Sequence, residues 1–174
     1  MGTAINRAQF LRGDFAGRTT PIRPPWSRPE ADFVECCSPC GDCIRACPQH
    51  IIDKGRGGFP RIDFSRGECL FCGECAQVCA PGVLAVQPDA DTASQPWAVR
   101  ASIGERCLAG RGVECRSCGD QCESGSIRFQ LVVGGVARPI LEQATCNGCG
   151  ACYGVCPVQA IELCQSNSDR GLQA

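Results

Sequence analysis

Sixteen of the eighteen cysteines in this 174-residue chain fall into four groups of four. Three groups share one spacing: Cys37-x2-Cys40-x2-Cys43-x3-Cys47, Cys69-x2-Cys72-x2-Cys75-x3-Cys79 and Cys146-x2-Cys149-x2-Cys152-x3-Cys156. The remaining group, Cys107-x7-Cys115-x2-Cys118-x3-Cys122, repeats the pattern with its first gap widened. The spacing has a geometric cause. Two-residue gaps let a tight loop curl around an iron–sulfur cube and offer three thiolates to three irons. The fourth cysteine, three residues on, sits on the following helical turn and points toward a second cube.

Disulfides and zinc are the rival readings of so much cysteine. Cysteine above about 8–10% of a short chain usually marks a secreted disulfide scaffold. Thiols two residues apart in one loop, however, cannot pair without strain. Zinc ribbons use isolated C-x2-C pairs, because four ligands close a tetrahedral site, and runs of three thiols plus a fourth exceed that need. The spacing therefore predicts 4Fe–4S clusters. Pro48 and Pro157 directly follow the fourth cysteine of their groups, as in the bacterial ferredoxin run.

Composition fits a core built around clusters. Aromatic residues make up only 6% of the chain, while Gly contributes 21 residues and Pro 12. Small cysteine-rich domains replace missing apolar burial with metal bonds, so folding and cluster insertion are expected to be one event. The formal charge of −1 omits the clusters. Four oxidised cubes bring the total to about −9, since a metal site's own charge must be counted. With no basic patch or nucleic-acid motif, a DNA or RNA role is not expected.

Internal repetition organises the chain. Each fourth cysteine is followed by a short turn and an apolar residue or pair. Pro48-Gln49-His50-Ile51-Ile52 matches Pro157-Val158-Gln159-Ala160-Ile161, Ala80-Pro81-Gly82-Val83-Leu84 is a looser copy, and Glu123-Ser124-Gly125-Ser126-Ile127 lacks the proline. Pro60-Arg61-Ile62-Asp63-Phe64 alternates like a half-buried strand. Arg138-Pro139-Ile140-Leu141 holds the equivalent place before the last group, preceded by Gln130-Leu131-Val132-Val133. The polar, proline-containing stretch 87–96 separates the second group from the third.

The expected architecture is α+β, with two tandem dicluster ferredoxin-like βαββαβ units that carry little regular secondary structure. Residues 1–34 read as an N-terminal arm, 35–87 as the first unit, 88–106 as a linker, 107–165 as the second unit and 166–174 as a tail. The crossover rule assigns Cys37, Cys40, Cys43 and Cys79 to one cube, and Cys69, Cys72, Cys75 and Cys47 to its neighbour. It likewise assigns Cys107, Cys115, Cys118 and Cys156 to the third, and Cys146, Cys149, Cys152 and Cys122 to the fourth. The Cys107–Cys115 insertion leaves a three-iron cluster open at the third site. Cys36 and Cys164 are left over as incidental thiols, with Cys36 an alternate ligand beside Cys37. His50, the only histidine, reads as a polar residue at a helix end.

Asn6-Arg7-Ala8-Gln9-Phe10-Leu11-Arg12 looks like a worn twin-arginine export motif, with Ala8 where the second arginine would stand. Residues 13–30 are polar and proline-rich, with no apolar stretch of signal-peptide length, and no apolar run approaches a membrane span. The chain is expected to stay in the cytoplasm. Phe10-Leu11-Arg12-Gly13 and Ile22-Arg23-Pro24-Pro25-Trp26-Ser27, followed by four cysteine groups, resemble the NapF family of ferredoxin-type proteins of the periplasmic nitrate reductase system. Cys107-Leu108-Ala109 leading to Val113-Glu114-Cys115-Arg116-Ser117-Cys118 resembles that family's odd third group, and Cys146-Asn147-Gly148-Cys149-Gly150-Ala151-Cys152 its last.

The resemblance implies a cytoplasmic accessory protein. Its partner would be the catalytic subunit of periplasmic nitrate reductase before export, and its role cluster assembly or electron donation. No Ser/His/Asp set, paired carboxylates or phosphate-binding loop points to catalysis, so a non-enzyme is expected. The alternative is an electron-transfer subunit wiring a donor to another multi-subunit oxidoreductase.

Overall fold

Nearly every regular element is a single turn or a short strand hung between cysteine loops. The structure is a computed structural model describing residues 21–86 and 96–165. The export-like motif, the apolar residues Ile5, Ala8 and Leu11, most of the linker's polar stretch and the tail lie outside the described residues.

Residues 21–29 form a strap over the first unit. The Trp26 N–H donates to Pro96 O at 2.7 Å, the Ile62 N–H to Ile22 O at 2.8 Å and the Arg28 N–H to Val83 O at 3.0 Å. Ser27 and Leu84 make an isolated antiparallel bridge. Proline fixes φ and brings no N–H needing a partner, which suits Pro24 and Pro25 to full burial. Helix α1 (Glu30–Cys36) follows and buries Phe33 completely.

The first unit contains α2 (Asp42–Ala46), β1 (Ile52–Lys54), β2 (Pro60–Ile62) and α3 (Glu74–Gln77). Strands β1 and β2 pair antiparallel with Ile52 opposite Ile62, and α2 packs on α3. The second unit runs β3 (Val99–Ile103), α4 (Ser117–Asp120), β4 (Ile127–Gln130), β5 (Arg138–Leu141), α5 (Ala151–Gly154) and β6 (Ile161–Gln165). Here β3 pairs antiparallel with β6, and β4 with β5. In the first unit the outer strand pair shrinks to the Ser27–Leu84 bridge, so the two units are not equally regular.

One expectation needs correction. Val99–Ile103 falls within the stretch read as linker, yet it is a full strand of the second unit, because Val99 and Ala101 are both buried. Only Gln130 of the apolar run before β5 is in a strand. Leu131, Val132 and Val133 form an exposed turn between β4 and β5.

The apolar residues that follow each fourth cysteine build the core. Ile51, Ile52, Val83 and Leu84 are buried in the first unit, and Ile127, Ala160 and Ile161 in the second. Fully burying each large aliphatic side chain contributes about 1.5–3 kcal/mol. The turn leading to these residues recurs four times. The N–H groups of His50, Gly82, Gly125 and Gln159 donate to the carbonyls of Cys47, Cys79, Cys122 and Cys156 at 3.1, 2.9, 2.9 and 3.1 Å. All four donors have positive φ, between 49° and 65°, a region natural to glycine and uncommon for His or Gln. The lone histidine is therefore one copy of a repeated backbone turn.

The cores of the two units touch. Val99 lies in the first unit's apolar cluster although its strand belongs to the second. Tyr153 and Leu163 pack against both.

Candidate metal centres

The helix after each cysteine loop carries its group's third thiol inward. Cys43, Cys75, Cys118 and Cys152 are all buried, while Cys40 and Cys72 are exposed. In three groups a left-handed glycine precedes the helix, namely Gly41, Gly73 and Gly150. In the widened group Arg116 takes that place with φ −130°. The extra residues there include a short 3-10 turn, Ala109–Arg111, whose buried Ala109 packs beside β5. The insertion is thus a structured bulge that leaves Cys107 and Cys115 both beside Cys118.

Folding brings the thiols together across groups. A concavity of about 340 Å³ is lined by Cys37, Cys40, Cys43 and Cys79. Another, of about 360 Å³, is lined by Cys47, Cys69, Cys72 and Cys75. In the second unit Cys118 lies in the field of Cys107, Cys115 and Cys156, and Cys152 in that of Cys149, Cys146, Cys118 and Cys122. The first three gatherings draw three thiols from one group and the fourth from its partner group, and Cys152 meets two of its own group and both Cys118 and Cys122 of the other. No three His, Cys, Asp or Glu side chains among the described residues converge as ligands of a single ion must. In the first unit the thiols line two concavities instead. None of the eighteen cysteines is joined in a disulfide. Cys36 and Cys164 are exposed and belong to no gathering.

Burial raises the thiols that the helices carry inward. Burial, reinforced by neighbouring thiols, pushes Cys75 and Cys152 up to about 12. Burial likewise pushes Cys43, Cys69 and Cys118 up to about 11. Such thiols stay protonated at neutral pH unless a bound metal displaces the proton. Cys122 differs. Burial raises it, but hydrogen bonds from Ser124 and from the backbone of Ile127, Ser126 and Gly125 outweigh that and leave it lowered. The Ile127 N–H reaches its Sγ at 3.4 Å and the Ser124 hydroxyl stands at 3.5 Å. Ser124 is itself held at 2.7 Å by Ser126, which receives the Thr145 hydroxyl at 3.0 Å. In sequence this segment stands out only by lacking the proline of its siblings. The serines standing there supply the hydroxyls.

These donor sets are those of a small iron–sulfur electron-transfer protein of the ferredoxin type, and sequence comparison agrees. Residues 36–83 match the family described as a 4Fe-4S dicluster domain, and residues 139–162 match a 4Fe-4S binding domain. The chain is 40% identical over 156 residues to the ferredoxin-type protein NapF of Escherichia coli, covering 90% of this chain and 92% of that one. It is 41% identical over 169 residues to NapF of Haemophilus influenzae, covering 91% and 93%. It belongs to the NapF family of ferredoxin-type proteins. A more distant relative is the methylamine utilization ferredoxin-type protein MauM of Paracoccus denitrificans, 32% identical over 152 residues and covering 78% of this chain and 66% of that one. No helix among the described residues is long and apolar enough to cross a membrane.

Proposed function

We propose that this chain is a cytoplasmic polyferredoxin of two tandem βαββαβ dicluster units. It holds four 4Fe–4S clusters and serves the catalytic subunit of periplasmic nitrate reductase before export, by helping cluster assembly or donating electrons. Bound in these sites, such clusters accept and release single electrons. The protein supplies the rest. Crossed thiolates fix each site, the apolar residues after each fourth cysteine exclude water, and Ser124 and Ile127 hydrogen-bond one ligand sulfur. The observation carrying the reading is the four thiol gatherings, each built from two cysteine groups, in a member of the NapF family.

Anaerobically purified protein should contain about sixteen irons and as many acid-labile sulfides. A value near fifteen, with sulfide unchanged and a three-iron paramagnetic signal, would assign the smaller cluster to the Cys107 set. Cys47→Ser should damage the centre of Cys69, Cys72 and Cys75 while sparing that of Cys37, Cys40 and Cys43. The reverse pattern overturns the crossed sets. Co-purification with the unexported catalytic subunit tests the partner. A second reading, an electron-transfer subunit for another oxidoreductase, draws support from the MauM relative, whose name ties a similar chain to methylamine utilization. Capture of such an oxidoreductase in place of the nitrate reductase precursor would favour it.

A further inference from the structure

The two units are joined at their cysteine loops. The Cys69 N–H donates to Cys149 O at 2.8 Å, a backbone bond between a ligand loop of the first unit and one of the second. Phe64, buried just ahead of the Cys69 loop, packs against Gly150. A Cβ at Gly150 would sit 2.1 Å from the Phe64 ring, and the residue's φ of +91° also favours glycine. Trp97 clamps the same spot. Its Nε1–H donates to Asn147 O at 2.9 Å, and its ring meets Phe64 and Phe71 edge-on at 5.9 and 5.7 Å. Gly148 is pressed as closely against Val99 O. No flexible tether separates the loops here. They share one packed seam of two aromatic contacts, two hydrogen bonds and two glycines without room for a side chain.

Within each unit the neighbouring gatherings also face one another through one cysteine pair. Cys43 stands beside Cys75 in the first, where α2 packs on α3. Cys118 stands beside Cys152 in the second, where α4 packs on α5. The contacts therefore fall in series. We infer that electrons pass between the units through the Cys69–Cys149 seam, so that the four centres form one line. Its order is the Cys37 set, the Cys69 set, the Cys149 set and the Cys118 set. This order differs from chain order, since the fourth cysteine group precedes the third along it. The inference rests on the four crossed ligand sets proposed above. One electron crosses per transfer, one centre is oxidised as the next is reduced, and no bond forms or breaks.

The test uses full-length chain reduced with dithionite and read by electron paramagnetic resonance beside an iron count. Cys40→Ala with Cys115→Ala leaves the Cys69 and Cys149 sets, and should show two spins coupled to each other. Cys72→Ala with Cys149→Ala leaves the Cys37 and Cys118 sets, and should show two isolated signals. Half the wild-type iron with isolated signals in the first variant overturns the seam. Iron that departs from half indicts the ligand sets instead, and the seam is then read with all sixteen thiols in place. Trp97→Ala removes the clamp and both aromatic contacts. It should keep full iron while the spectrum loses the coupling between units and keeps that within them. An unchanged spectrum with full iron overturns the inference.

Discussion

Arg23 fastens the N-terminal strap to the first unit, and its removal gives a sharp test of what the strap does. The guanidinium is buried and bonds Glu30 through two hydrogen bonds of 2.8 Å, with a third of 2.8 Å to Pro60 O. It also lies over the rings of Phe33 and Phe59, at 4.8 and 5.7 Å from their centroids. Hydrogen bonds to a charged group contribute about 1.5–3 kcal/mol, and a carbonyl left buried without a partner costs about 1–3 kcal/mol. Each stacking contact adds about 0.5–1 kcal/mol. The Glu30 side chain is 28% exposed, so it rehydrates when abandoned, and the 3–5 kcal/mol typical of breaking a fully buried pair is too large here. Arg23→Met should therefore destabilise the cluster-loaded fold by about 3 kcal/mol. Followed anaerobically in guanidinium chloride, loss of visible absorbance should accelerate by about two orders of magnitude if the strap detaches before the clusters go. Arg23→Lys keeps the charge but not the planar fork, and should fall between the two. A loss rate within threefold of wild type for Arg23→Met would refute the reasoning, since the strap would then be decoration.

Three further outcomes follow from the same geometry. Ser124→Ala removes the hydroxyl beside the Cys122 sulfur, so the centre of Cys122, Cys146, Cys149 and Cys152 should drop in reduction potential while the others hold, as read by anaerobic redox titration. Chelating the iron away should leave circular dichroism of mostly coil, because ordering costs about 1–2 kcal/mol per residue and the apolar cores are small; a cooperative melt of the metal-free chain would contradict this. Reconstitution with ferrous iron and sulfide at pH 7 should release acid, measured in a pH-stat. The sign follows from burial. Burial holds Cys43 at about 11 and Cys75 and Cys152 at about 12 against an ordinary 9.0, so their contribution to any residual metal-free structure is present below pH 9 and is lost as pH climbs from 9 toward 12.

Much of this was legible in the sequence because the cysteine spacing and the residues after each fourth cysteine are local signals. Ile51, Ile52, Val83, Leu84 and Ile161 were marked by position and are all buried. Pro60–Ile62 is a strand where alternation indicated one, and Arg138–Leu141 is a strand at the place the repeat made equivalent to it. Strand β3 was missed although Val99, Ala101 and Ile103 alternate, because the polar run ahead of it set the boundary too late. Its partner β6 lies some sixty residues away, a distance over which local pattern carries no information. The seam between Cys69 and Cys149 was invisible for the same reason. It depends on two glycines and Trp97 meeting across units, and spacing within one loop says nothing about what faces it. The function of Ser124 hid behind an absence, since the segment was noted for the proline it lacks.

The placing of Cys79 beside Cys37, Cys40 and Cys43 has a consequence for manufacture. While the ribosome works at about 5–20 residues per second, the first three thiols emerge and wait several seconds for the fourth. The second unit repeats the delay, with Cys107, Cys115 and Cys118 waiting on Cys156, and its outer strand β3 waiting longer still for β6. Each proposed centre thus draws its thiols from both cysteine groups of its unit. A chain stalled midway carries open trios of thiols, vulnerable to oxygen and to stray metals, and a finished unit closes two centres almost at once. Loading is for that reason best timed to the end of each unit's synthesis, when one arriving cysteine completes the work of many.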